Sequence, residues 1–214
     1  MTPRLATPLT NRLWPLEESP ELRSPRARGA AGPLPLPPPG SWELLPSDSV
    51  VHATIRHAIF SKVRIHFRLS GGTVHVAPDP ERSWADACIR SASADSGDAT
   101  RDRRITDPDF LDAGRYPEMT FRSSGVSNPG GDDWEVQGTL TVRGRSAPVS
   151  LLTRYHGTRE APGSPPLARF SARTAISRDT YGLTWNQALD TGGLVLGQTV
   201  MIELDVHARL RPAT

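Results

Sequence analysis

Six histidines, one cysteine and a few closely spaced carboxylates carry the side chains suited to catalysis or metal binding. His52, His57, His66, His75, His156 and His207 fall into no HxH or HExxH spacing, so local sequence places no two of them on one metal ion. Cys88 stands alone, which excludes an intramolecular disulfide, a CxxC redox pair and a cysteine-rich zinc site. Beside Ile89 in an alternating stretch, it reads as a small core or wall residue and not as a nucleophile. Glu203 and Asp205 share one strand face, a spacing that could serve acid–base chemistry; with His207 and Arg209 they read as ordinary solvated surface. Gly71-Gly72 and Gly192-Gly193 lack phosphate-loop spacing, and no GxSxG elbow occurs. The sequence therefore predicts exposed strand histidines, no catalytic residue, no metal site and no required cofactor.

The elements that hold these residues alternate with period two. From Val200 to Leu210 every even position is apolar and every odd one polar or Met, so one face is buried and the other wet, as in an antiparallel sheet. Val63, Ile65, Phe67 and Leu69 repeat the pattern, and after Gly71-Gly72 the apolar parity moves to Val74 and Val76. Glycine at a parity change suits a bulge or bend. Residues 62–76 therefore read as one long bent strand of roughly 50 Å. Further strands are expected near residues 50–58, 84–93, 118–127, 133–143, 147–158, 167–177 and 198–211, making eight. Turns fall at Asn128-Pro129-Gly130-Gly131-Asp132 and Arg143-Gly144-Arg145, and short helical caps at residues 98–114, started by Asp98, and 184–191 around Trp185.

Composition separates a tail from this domain. Of the 21 prolines in 214 residues, 10 fall within residues 1–40, which also hold five arginines against three acids and so carry the whole formal charge of +2. A pI of 9.1 is thus no sign of nucleic-acid binding. The run from Pro33 to Gly40 suits a disordered polyproline spacer, with docking into a proline-recognising partner as the alternative. Residues 41–214 form the barrel domain. No uncharged stretch approaches the 20 or so apolar residues of a spanning helix. Arg4, Pro8 and Arg12 interrupt any signal-peptide core, so the expected compartment is the cytoplasm.

Eight antiparallel strands with one apolar face suggest a closed barrel, whose interior is either filled by side chains or able to hold one small ligand. The expected inward set is Ile55, Ile65, Phe67, Val74, Ile89, Phe121, Leu140, Val142, Leu151, Phe170, Ile176, Ile202, Leu204 and Val206. A polar ligand there leaves unpaired groups at about 1–3 kcal/mol each, whereas an alkyl chain gains about 0.8 kcal/mol per buried CH₂. Alternation alone does not separate a filled barrel from a hollow one.

The stretch from Ile55 to Arg64, Arg101-Asp102, Asp109-Phe110-Leu111-Asp112, the stretch from Tyr116 to Ser123, that from Gly138 to Gly144, and Tyr181-Gly182-Leu183 together resemble the YceI-like family in order and spacing. The resemblance spans about Trp42 to Leu210. It implies an all-β fold, a lipocalin-like eight-stranded antiparallel barrel whose apolar pore binds a polyisoprenoid, an isoprenoid quinone or another long-chain amphiphile, and an association with stress responses. The pore residues expected to touch such a ligand are Ile55, Ile65, Phe67, Phe121, Leu140, Val142, Leu151, Phe170, Ile202, Leu204 and Val206, with His57 and Arg104 at its head group. This chain departs from the family by Arg101-Asp102-Arg103-Arg104-Ile105 where His-Leu closes the usual string, and by Asp48-Ser49 where His precedes Ser. Expected partners are the lipid itself, a second copy in a homodimer, and a proline-recognising protein at the tail. The alternatives are an enzyme using His57, Asp102 or Arg104 at the mouth, and a scaffold working through its tail.

Overall fold

The computed structural model describes residues 36–57, 61–186 and 196–212. The expected disordered tail, residues 1–40, lies mostly outside them.

Ten strands form one antiparallel sheet: β1 (Gly40–Leu44), β2 (Val50–His57), β3 (Ser61–Phe67), β4 (Leu69–Val76), β5 (Trp84–Arg90), β6 (Glu118–Gly130), β7 (Asp133–Val142), β8 (Arg145–Ala161), β9 (Ser164–Ser177) and β10 (Leu196–Leu210). The ten make eight barrel staves. A 3-10 turn at Pro46–Asp48 divides the first stave into β1 and β2, and both halves pair with β10, β2 through Val51↔Leu204 and β1 through Leu44↔Ala208. The second stave breaks at Arg68, where the backbone leaves the ladder: Arg68 N–H donates to Ser93 Oγ (2.8 Å), and its carbonyl accepts from Arg90 N–H (2.9 Å). The long strand expected over residues 62–76 is thus two strands. Phe67 and Leu69 keep one parity and are both buried, so sequence holds no mark of the break. β1 pairs with β4 on one side and β10 on the other, which closes the barrel.

The expected bulge is present, with the register shifting between Leu69 and Gly71. Gly72 has φ +154°, and a Cβ there would lie 2.4 Å from the Asp86 carbonyl oxygen and 2.9 Å from Ala87 Cα. Only glycine allows β4 and β5 to approach so closely. At the β7–β8 hairpin Arg143 and Gly144 both have positive φ, 50° and 69°, the pattern of a type I′ turn.

β5 ends at Arg90 and not near residue 93, where Ser91–Ser93 form a 3-10 turn. Because β3 extends past this end, residues 91–117 fill the gap between β3 and β6. They contain helix α1 (Ala99–Thr106), capped by Asp98, whose carboxylate accepts from Thr100 and Arg101 N–H. Ile105 and Leu111 anchor the segment, each 6% exposed. One isolated bridge, His66↔Asp95, joins it to β3. The second expected helical cap is absent over residues 184–186, which are irregular; residues 187–191 lie outside the described ones.

Candidate ligand cavity

Alternation turns one side chain in two inward, and at eight staves these side chains need not meet. They enclose a cavity of about 820 Å³. All eleven residues expected to contact a ligand lie on its wall, as do the other three of the inward set, Val74, Ile89 and Ile176. Their burial shows how the interior is filled. Phe67, Phe121, Val142, Phe170 and Val206 are almost wholly buried, whereas Ile65, Leu151, Ile202 and Leu204, near the middles of their strands, pack only partly against that core. Apolar side chains that face inward yet keep exposed surface are the mark of a hollow barrel.

Polar groups concentrate where α1 meets the barrel. Asp98, Arg101, Arg104, Phe110, Arg178, Trp185 and His57 all border the cavity. Most are engaged structurally. Arg101 Nε donates to Ser96 Oγ (2.7 Å) and Nη2 to the Ser96 carbonyl (3.1 Å). Arg178, 2% exposed, donates to the carbonyls of Gly197 (2.9 Å), Trp185 (2.8 Å) and Leu183, tying the segment after β9 to the start of β10. His57 Nδ1 lies 3.4 Å from Ser61 Oγ. Arg104 is exposed, with its guanidinium 4.5 Å from the centroid of the Trp185 ring. Asp102, weighed as an acid–base group, is not on the cavity wall: its Oδ1 accepts from Ser96 N–H and Oγ at the start of α1.

The opposite end is edged by Leu36, Pro37, Pro38, Pro78, Pro80 and Trp84. Trp42, fully buried in β1, donates from Nε1 to the Pro38 carbonyl (3.1 Å) and holds Pro38 there. Nothing in the alternation pattern marked these residues, nor Arg178 or Trp185.

Apart from Asp86 and Tyr155, which are also on the wall, the remaining titratable groups among the described residues lie off it. His52 and His66 are opposite on β2 and β3, with ring centroids 4.3 Å apart. Burial, with Arg64 and His66 nearby, lowers the His52 pKa to about 4; its Nδ1 is buried without a partner among the described residues. His75 stacks on Trp84, His156 Nε2 lies 2.7 Å from Ser171 Oγ, and His207 Nδ1 meets the Asp48 carbonyl. Among the described residues no group of three or more His, Cys, Asp and Glu side chains is arranged to hold a metal ion. Cys88 is half-buried, and burial first, then Glu118 and Asp86, push its thiol pKa up, the opposite of an activated nucleophile. Asp205 takes two bonds from Arg169, and Glu203 lies 3.6 Å from Arg64.

A closed antiparallel barrel with a hollow apolar interior defines a lipocalin-like class of protein. The description of the YceI-like domain matches residues 42–208, and the chain belongs to that family. A UPF0312 protein of Azotobacter vinelandii is 31% identical over 154 residues, covering 67% of this chain and 80% of that protein. Among solved structures, Burkholderia cenocepacia BcnA superposes with a TM-score of 0.65 at 23% identity, covering 77% of this chain and 98% of that one. A polyisoprenoid binding domain from Saccharophagus degradans, described as implicated in plant cell wall breakdown, gives 0.55 at 15% identity over 79% and 98%. No described helix is long and apolar enough to cross a membrane.

Proposed function

We propose that the protein binds and carries a single long apolar chain, a polyisoprenoid, isoprenoid quinone or fatty amphiphile, inside the barrel. The cavity carries this reading: about 820 Å³ lined mainly by aliphatic and aromatic side chains. At about 0.8 kcal/mol per buried CH₂, ten methylenes supply roughly 8 kcal/mol before the costs of association. A polar solute forfeits its hydrogen bonds on the same wall. The eleven wall residues would contact the chain, and His57 and Arg104 would face its head. The resemblance to a polyisoprenoid binding domain supports the same ligand class. In this reading the protein is a binder and not an enzyme, and it works in the cytoplasm; fractionation of cells expressing the full chain checks the compartment.

Native mass spectrometry of the gently purified full chain tests the proposal. One lipid mass per barrel, recovered on organic extraction and rebound after stripping, is the expected result. A stripped protein that takes up neither a prenyl nor a fatty chain, whether offered as the alcohol or with an anionic head, overturns it.

A further inference from the structure

We propose that the cavity selects a ligand with an oxyanionic head, phosphate or carboxylate, gripped by Arg104. The inference rests on the carrier reading and names the polar end of that ligand. It follows from the state of each charged group on the wall. Arg178 is committed to three backbone carbonyls, and Arg101 to Ser96. Asp86 accepts from Thr73 N–H, and the Asp98 carboxylate is turned onto the N–H groups of its own helix. Arg104 is the one cation on the wall with neither a hydrogen-bond acceptor nor an ion pair among the described residues. Its contact is the Trp185 ring, itself 5.9 Å from Phe110. A guanidinium placed over an aromatic ring keeps its N–H edge for a second partner, and that edge fits the paired oxygens of phosphate or carboxylate. The apolar chain would lie against the barrel wall while its head reaches the one open cation.

A structural reason for an arginine here also exists, because a cation in the last turn of a helix complements the helix dipole. Arg103 has that role equally: it is in the same turn, is exposed, and does not line the cavity. It provides the control.

The experiment compares binding of geranylgeraniol, geranylgeranyl monophosphate, hexadecanol and palmitate to the stripped full chain, in the wild type and in Arg104→Gln and Arg103→Gln. The wild type is expected to prefer each anionic ligand to its alcohol by about tenfold, the scale of one charge-assisted contact. Arg104→Gln brings that ratio to within about twofold through loss of anion binding, and Arg103→Gln retains it. A preference for the phosphate without one for palmitate assigns the site to phosphate heads; the reverse assigns it to carboxylates. Equal binding of alcohols and anions by the wild type, a ratio that survives Arg104→Gln, or one that collapses equally in Arg103→Gln overturns the inference and leaves the carrier reading standing. Binding of none of the four overturns both.

Discussion

Arg178 and His52 show how single side chains are committed by their surroundings. Arg178 is a buried cation that answers three carbonyls from two separated segments, so Arg178→Ala leaves those acceptors unpaired. We expect a loss of about 3 kcal/mol in chemical unfolding; a loss below about 1 kcal/mol would mean the segment is held by other contacts. His52 is depressed to a pKa of about 4, against about 6.5 in an unfolded chain. Between those values the unfolded state binds more protons than the folded one, so stability falls as pH drops from about 6.5 toward 4. His156 is lowered as well, again first by burial, and contributes in the same direction. Asp205, held below its ordinary value by Arg169, loses its contribution only below that window. Unfolding midpoints measured at pH 7, 5.5 and 4.5 should fall in the wild type and fall less in His52→Leu.

At the scale of elements, the adjacent glycines of β4 separate a required close approach from a replaceable position. Gly72 meets backbone at 2.4 Å where a Cβ would stand, while Gly71 meets nothing within 4 Å. Gly72→Ala is therefore expected to cost about 2–4 kcal/mol and Gly71→Ala less than about 0.5 kcal/mol, as read by thermal unfolding. Sequence reached this far because a shift of apolar parity at a glycine pair has few structural solutions. The strands with longer alternating runs, such as β10, were legible for the same reason. β1 was not, since Gly40–Leu44 is five residues long and follows the proline run. Nor was the break at Arg68, which leaves parity intact and depends on the distant Ser93 and Arg90. Around Trp185 a stretch that breaks the strand alternation suggested a helical cap, but the fixed point there is Arg178, which donates to the Trp185 carbonyl.

For the whole molecule the question was whether the barrel is filled. Alternation gives the same pattern either way, so the wall was readable and the cavity was not. The partial exposure of Ile202, Leu204 and Leu151 is a property of eight staves in three dimensions. Filling the space from inside gives a direct test. Ala172 is on the wall, in register with Leu204 and Thr153. In Ala172→Trp the added ring should occupy the cavity and reduce lipid uptake at least tenfold, at an unfolding cost of no more than about 1–3 kcal/mol. Unchanged uptake would place the ligand elsewhere.

The single bridge between His66 and Asp95 bears on timing. Elsewhere the wall is held by ladders of several residue pairs, but beside β3 it depends on one pair and on the anchoring of α1 by Ile105 and Leu111. Local opening requires least there. A cargo leaving sideways past the helix would leave the other staves zipped. Amides of α1 should lose hydrogen-exchange protection before those of β8 and β9, and a bound lipid should slow the first set far more than the second.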